Sequence, residues 1–414
     1  MMNRTLDADI TVVGAGPAGI AAVCRLIAAG RRVAWVDQGA RPGGQIWRAG
    51  LPPRWGRALD EITASPLLQR LAGHAVVDAD GPQRLLLHDT LSRHGLWVRS
   101  PQLLLALGAR ERFLPFPGWT LPGVHGAGGL QALIKNGWPI AGRRLVLAGS
   151  GPLLLAAADT ARAAGADLLL VAEQASRAAL LGFAAGLDAA RLGQAAGLGW
   201  RLRGRYRSGH WVRRAIGNDK LEAVVISDGH SEQQLACDAL GVGFGLLPNT
   251  ELAELLGCRV EDGAIAVDAQ LRTSLPQVWA AGECTGIGGA DKALVEGELA
   301  ALQMLGQDGQ PLQAAHRQAQ RFARRLASSF ALRPELLQLA EAKTLICRCE
   351  DVSFGALKAQ RGWRDAKLQT RCGMGACQGR VCGPITQQLM GWDARGQRAP
   401  LQPAPIALFL PDKT

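Results

Sequence analysis

Residues 9–26 read Asp9-Ile-Thr-Val-Val-Gly14-Ala-Gly16-Pro-Ala-Gly19-Ile-Ala-Ala-Val-Cys-Arg-Leu26, and the fold follows from them. The short β-branched run Ile10–Val13 predicts a buried strand that passes through a glycine turn into an alanine-rich helix. The next apolar run, 33–36, ends on Asp37. This is a βαβ unit with glycines where a dinucleotide needs them. Gly14 makes the tight turn, Gly16 admits a pyrophosphate, and Gly19 lets helix and strand pack closely. Pro17 and Ala18 open the helix, whose N-terminus points bare N–H groups at phosphate, and Asp37 is spaced for a ribose hydroxyl.

Outward from this unit, Gln38 follows the acidic residue, and Gly43-Gly44-Gln45-Ile-Trp-Arg48 fits a loop bending back over a planar ligand. Pro52-Pro53 marks a turn, and 67–71 has a helix-like pattern. Residues 102–111 predict a buried strand ending in a turn at Gly108. A second βαβ unit begins at Arg144, with Gly149, Gly151, a helix to about Ala164, a strand at 167–171 and the acidic Glu173. Leu154 stands where the third glycine belongs, and Pro152 removes a backbone donor. Two readings stay open: a pocket for NAD(H) or another adenine nucleotide, in which Glu173 disfavours a 2′-phosphate, or a fold kept with its pocket closed. Residues 200–235 read as hairpins and 240–249 as a strand leaving this domain. The chain returns at Val278-Trp-Ala-Ala-Gly282-Glu283, a strand end able to offer a backbone N–H and a carboxylate to a flavin's ribityl and phosphate. The helix after Gly289-Ala290-Asp-Lys292 would point its N-terminus at the isoalloxazine.

The length of 414 residues, 48% apolar and 20% charged, suits two or three soluble domains. No apolar run reaches the roughly 18 residues of a membrane span, and the N-terminus lacks the regions of a signal peptide. The expectation is a cytoplasmic chain, with any membrane association peripheral and through a complex. The net charge of +11 is concentrated in the tail: from residue 311 onward there are 16 Lys/Arg against 7 Asp/Glu. With 5% aromatic residues and no helix-turn-helix or RNA-binding signature, nucleic-acid binding is not expected. Residues 311–341 read as a linker helix with Arg317, Arg321, Arg324 and Arg325 on a solvated face.

Nine cysteines in such a compartment are ligands or free thiols rather than disulfides. Cys24, Cys237, Cys258 and Cys284 are solitary and read as small buried apolar residues. The other five fall within about 36 residues, in Cys347-Arg-Cys349-Glu-Asp and Thr370-Arg-Cys372-Gly-Met-Gly-Ala-Cys377-Gln-Gly-Arg-Val-Cys382. Four thiolates suit tetrahedral zinc or a 2Fe–2S cluster. A zinc finger prefers wider knuckles than Cys-x-Cys. The glycines around Cys377 suit amides that donate to cluster sulfides, with Arg348, Arg371 and Arg380 to offset the charge.

The order GAGPAG, acidic strand end, GGQ, ALGA, second βαβ and AAGE resembles the flavoprotein reductases with two dinucleotide domains, such as thioredoxin reductase and NADH oxidases. The resemblance runs from residue 9 to about 303. It implies FAD in the first fold and NAD(P)H in the second. No Cys-x-x-Cys lies near either motif, so disulfide-reductase chemistry is unsupported. The tail resembles the bacterioferritin-associated-ferredoxin-like 2Fe–2S domain in the version fused to flavin subunits. That implies the ligands Cys347, Cys349, Cys377 and Cys382, with Cys372 a spare thiol.

Over nearly its whole length, including GGQIWR (43–48), PFPGWTLPGV (115–124), GSGPLL (149–154) and GLLPNTELAELLGC (245–258), the chain resembles one subunit of the bacterial flavin-dependent amine dehydrogenases. These are the opine oxidases, D-hydroxyproline and L-proline dehydrogenases and hydrogen cyanide synthase. The resemblance implies an electron-transfer subunit with no catalytic side chains of its own. A D-amino-acid-oxidase-like flavoprotein partner would oxidise a CH–NH or CH–NH2 donor, and a small ferredoxin-like subunit is a further candidate partner. The basic tail suits docking to an acidic partner. A self-sufficient NADH-dependent ferredoxin or nitrite-type reductase, and a non-enzymatic scaffold, are the other readings.

The expected architecture is therefore α/β, with two nested Rossmann-like domains and a small helical 2Fe–2S domain. FAD would be held by 1–120 and 249–310, the second fold would be 121–248, the linker 311–341 and the cluster domain 342–414. The expected FAD contacts are Gly14, Gly16, Pro17, Ala18, Gly19, Asp37, Gln38, Gly44, Gln45, Gly108, Gly282, Glu283, Ala290 and Lys292.

Overall fold

Every residue of Ile10–Val13 is buried, and this strand is the centre of a five-stranded sheet. Its order is Val278–Ala280, Gln102–Leu105, Ile10–Val13, Val33–Asp37 and Leu68–Ala72, all parallel. Continuous apolar runs are what a parallel sheet covered on both faces requires. The computed structural model describes residues 4–409 apart from Ala49, Arg93 and Arg395. The piece at 67–71 is not helical: Leu68–Ala72 pairs with Val33–Asp37 as the edge strand. Five residues are too few to repay helix nucleation, whereas an open sheet edge supplies partners at once. Pro53 instead starts the helix Pro53–Thr63, where a missing N–H costs nothing.

Helix Pro17–Ala28 covers the first sheet and packs against helix Gly289–Met304. The crossing is close because residue 297 is glycine; a Cβ there would overlap the Ala18 carbonyl. A four-stranded sheet of Arg4–Asp7, Gly95–Arg99, Arg84–Asp89 and His74–Ala79 completes this part of the chain.

The second βαβ unit forms another five-stranded parallel sheet, ordered Val124–Gly126, Ala239–Gly243, Arg144–Gly149, Asp167–Glu173 and Tyr206–Ser208. The hairpins expected at 200–235 are the antiparallel strands Trp211–Ile216, Ala223–Ser227 and Glu232–Ala236, preceded by helix Ala189–Arg201.

The chain divides into two compact units. One is Met1–Arg110, Leu247–Arg324 and Arg395–Thr414; the other is Glu111–Leu246 with Arg325–Ala394. The sequence sets 342–414 apart as its own domain, but its cysteine-bearing part shares a unit with the second sheet. It consists of the hairpin Leu345–Cys347/Val352–Ser353 and the helices Phe354–Lys358, Trp363–Thr370 and Cys382–Met390. These short elements share their core with residues of 111–246. Ile346, Leu357 and Ile385 join Phe116, Trp119 and Val224 in one cluster, and Trp119 Nε1 donates to the Leu345 carbonyl at 2.7 Å.

Candidate functional site

The turn at 14–19 is braced underneath and open above. A Cβ at Gly19 would overlap the Gly14 carbonyl oxygen, which also accepts from Trp35 Nε1 at 3.1 Å. Gly16 has no atom within 4 Å of the corresponding Cβ position, and both Gly16 and Pro17 are half-buried. Helix Pro17–Ala28 carries no side-chain cap, so its first-turn amides are left for an anion. Asp37 stands at the rim, with Oδ2 accepting from Ala15 N and Oδ1 from Gly39 N, both at 2.6 Å. Gly44 folds back so tightly that a Cβ would lie 2.9 Å from Gly16 Cα. Gly108 is half-buried with φ +68° and accepts from Asn249 N at 3.0 Å. Gln45 and Gln38 are exposed, and Gln38 Nε2 donates to Gln402 Oε1 at 2.9 Å. Ala18 is buried beneath Gly282 and Gly297, so its small size serves packing.

The return loop differs from expectation. The Gly282 N–H turns inward and donates to Glu296 Oε2 at 2.9 Å rather than being free for a ligand. Glu283 Oε1 accepts from Gly288 N (3.1 Å) and Gly289 N (2.5 Å), closing the loop onto helix Gly289–Met304. Lys292 does not face a ligand either. It is 4% exposed, and Nζ donates to the Gly282 carbonyl (2.9 Å), Thr285 Oγ1 (2.8 Å) and Glu296 Oε2 (2.8 Å). Buried His316 Nε2 lies 3.1 Å from Glu296 Oε1. Burial pushes the Glu296 carboxyl up, but the His316 hydrogen bond and the Lys292 charge outweigh it and hold the group below the usual range. Lys292 thus builds the loop, and half-buried Ala290 is left in the helix's first turn. Glu296 and His316 hold the loop in place, and the sequence reading misses both. The Lys292–Glu296 spacing of four is readable from sequence, whereas His316 on the following helix carries no local signal.

The second glycine turn has the same layout with its groups already committed. Gly149, Ser150 and Gly151 are all buried, and Gly151 has φ +92° where Gly16 has −79°. Glu173, 1% exposed, accepts from Gly151 N (2.7 Å) and Ala175 N (2.8 Å) and from Ser150 Oγ (3.1 Å). Burial raises its carboxyl's affinity for a proton, and these donors oppose that. The residue expected to read a ribose therefore braces its own turn. Leu154 is accommodated because the strand opposite carries Gly243, where a Cβ would sit 3.3 Å from Leu154 Cδ2.

Residues 330–333 cover this turn. Phe330 Cγ comes within 3.7 Å of the Cβ position of Gly151, and its ring meets Phe183 edge-on at 5.0 Å. Fully buried Gln174 donates to Ser150 Oγ (2.8 Å) and the Ala331 carbonyl (2.9 Å), and Arg333 N donates to Gln174 Oε1 (3.0 Å). Arg317, Arg321 and Arg324 are exposed as expected, but Arg325 lies over Gly186, in the space a side chain there would need.

The five clustered cysteines converge. Cys347, Cys349, Cys377 and Cys382 line one cavity with Phe113, Trp119, Arg348 and Val381. The Sγ atoms of Cys347, Cys372 and Cys382 lie within 4.8 Å of one another, and the free thiol of Cys377 is hydrogen-bonded to both Cys382 and Cys349. Hydrogen bonds from Cys372 and Cys382 hold Cys347 far below the ordinary thiol range, and the Cys382 bond brings Cys377 to about 5. Cys382, sharing protons with Cys347, Cys372 and Cys377, is pushed far above it. Amides of Gly373 and Glu350 also donate to Cys347, and those of Val381 and Gly379 to Cys377. Converging thiolates with N–H···S support are a donor set suited to an iron–sulfur cluster. Trp363 fills the space side chains at Gly373 and Gly379 would need. Arg371, expected to offset cluster charge, pairs with Glu350 at 2.7 Å instead. Among the described residues, Cys237, Cys258 and Cys284 are buried and free, and Cys24 is half-buried.

The pyridine nucleotide-disulphide oxidoreductase family model matches residues 8–319. An opine oxidase subunit of Rhizobium meliloti (strain 1021) is 34% identical over 425 residues, spanning 91% of this chain and 90% of that protein. Hydrogen cyanide synthase subunit HcnB of Pseudomonas protegens is 33% identical over 463 residues, spanning 97% of each. The crystal structure of L-proline dehydrogenase from P. horikoshii shares the fold, with a TM-score of 0.70 at 18% identity over 99% of this chain and 81% of that one. No helix among the described residues is long and apolar enough to cross a membrane.

Proposed function

The chain belongs to the pyridine nucleotide-disulphide oxidoreductase family, alongside subunits of opine oxidase and hydrogen cyanide synthase, and we propose that it is the electron-transfer subunit of a heteromeric amino-acid or opine dehydrogenase. A D-amino-acid-oxidase-like partner would take hydride from a CH–NH or CH–NH2 donor. Bound to this chain, FAD and a 2Fe–2S cluster would supply two-electron and one-electron transfer. Gly14, Gly16, Pro17 and the uncapped helix behind them hold the pyrophosphate, and Asp37 the ribose, with Gly44 closing over the turn. Gly108 and the loop Gly282–Ala290 border the flavin, the loop kept in shape by Lys292, Glu296 and His316. Cys347, Cys349, Cys377 and Cys382 ligate the cluster.

The observation that carries this reading is the convergence of those four cysteines on one cavity, with backbone amides donating to the sulfurs of Cys347 and Cys377. The covered second turn supports a relay fed by a partner over a reductase fed by NADH, because Glu173 and Phe330 take up the places a dinucleotide would use. Anaerobic purification with iron, sulfide, zinc and flavin analysis tests the reading. Stoichiometric FAD with about two irons and two sulfides per chain is expected; zinc in their place would overturn the cluster assignment.

A further inference from the structure

Cys372 does not line the cavity of the other four cysteines, yet it is not isolated from them. Its side chain is fully buried, and its sulfur lies within 4.8 Å of both Cys347 and Cys382. Sulfurs around a tetrahedral metal with bonds of about 2.3 Å stand roughly 3.8 Å apart, so the spacing of Cys372 from Cys347 and Cys382 is of the order of that between neighbouring ligands. Its backbone is set by a tight turn: Arg371 takes φ +62°, Gly373 φ +79°, and Cys372 N donates to Thr370 Oγ1 at 3.3 Å. Four ligands complete a 2Fe–2S cluster, and the chain brings five thiols together. The five are unequal in exposure, with Cys347, Cys372 and Cys382 buried, Cys377 half-buried and Cys349 exposed. An exposed thiolate meets oxidants first.

We propose that Cys372 is a reserve ligand that takes over the position of Cys349 when that exposed thiolate is lost. This rests on the 2Fe–2S reading above. In the exchange, a hydroperoxide oxidises the Cys349 sulfur to the sulfenic acid; the sulfur gives up two electrons, the O–O bond accepts them, and the metal–sulfur bond breaks. Cys372 releases its thiol proton to solvent, and its sulfur donates an electron pair to the vacated metal position. The metal gains and loses no electron. Cys347 and Cys382, next to Cys372, remain ligands throughout.

The full-length chain is purified anaerobically as wild type, Cys349→Ala, Cys372→Ala and the double variant. Each is assayed for iron, sulfide, visible circular dichroism and the electron paramagnetic resonance spectrum after dithionite, with thermal melting to report folding. Cys372→Ala is expected to keep the wild-type content of iron and sulfide, because the four ligands of the cluster remain. Cys349→Ala is expected to keep at least half of the wild-type iron and sulfide with an altered spectrum, and the double variant to lose them at least tenfold while melting like wild type. Loss in Cys349→Ala as complete as in the double variant would overturn the reserve role, as would loss in Cys372→Ala alone. A wild-type chain without iron and sulfide would instead overturn the cluster reading itself, and the reserve role with it.

Discussion

Replacing Glu296 by glutamine removes the one charge that four groups share. Lys292 Nζ, Gly282 N and Thr285 Oγ1 all bond Oε2 at 2.8–2.9 Å, and His316 bonds Oε1 at 3.1 Å. Lys292 and Glu296 are 4% and 2% exposed, so the ammonium cannot be resolvated without opening the core. Breaking a buried pair by removing one partner costs about 3–5 kcal/mol. For a unit of this size, roughly 2–4 °C per kcal/mol gives a fall in melting temperature of about 6–20 °C.

The sign of the pH dependence follows from the carboxyl being held below its ordinary 4.5. A depressed carboxylate contributes fully above its unfolded value and loses that contribution as pH falls through the folded one. The gap between wild type and Glu296→Gln should therefore be widest above about pH 5 and close as pH falls below about 4. Adding Lys292→Met should recover much of the loss, because the uncompensated charge is removed as well. Differential scanning calorimetry with flavin fluorescence reports both the melting and the release of the cofactor. A Glu296→Gln protein melting within about 2 °C of wild type at pH 7 would refute this account of the loop.

The two glycines of the open turn should separate fold from binding. Gly19→Ala drives a methyl into the Gly14 carbonyl and should cost upwards of about 3 kcal/mol in denaturant unfolding. Gly16→Ala meets empty space, so the protein should fold normally yet bind FAD at least about tenfold more weakly by fluorescence titration, the methyl standing where pyrophosphate approaches. Stopped-flow mixing with NADH should leave the flavin of the isolated chain oxidised for minutes, and bleaching within seconds would mean that residues 330–333 do not close the second turn.

The first βαβ unit is legible in the sequence because strand, glycine and acidic signals all lie within 30 residues of one another and agree. The cysteine tail is legible for the same reason. What escapes depends on partners distant in sequence. The inward turn of the Gly282 N–H is set by Glu296 and His316, and the covering of the second turn by Phe330 and Gln174, 156 residues apart and each just beyond the end of a different element. Leu154 is the visible flaw in the second fingerprint, yet Gly243 accommodates it, and the closure comes from Glu173 and the 330–333 segment. The strand Leu68–Ala72 looks helical in sequence because a five-residue apolar stretch carries too little periodicity to choose between the two.

The most direct test is anaerobic reduction of the reconstituted complex. This chain, loaded with FAD and the proposed cluster, is combined with the proposed amine-oxidising partner and mixed with proline, hydroxyproline or opine substrates while flavin absorbance and the paramagnetic signal are followed. The account predicts that both signals of this chain become reduced only when partner and substrate are present together, and that the chain alone stays oxidised with substrate. Reduction of the isolated chain by substrate or NADH, or an oxidised cluster in a complex that is turning over, would contradict it.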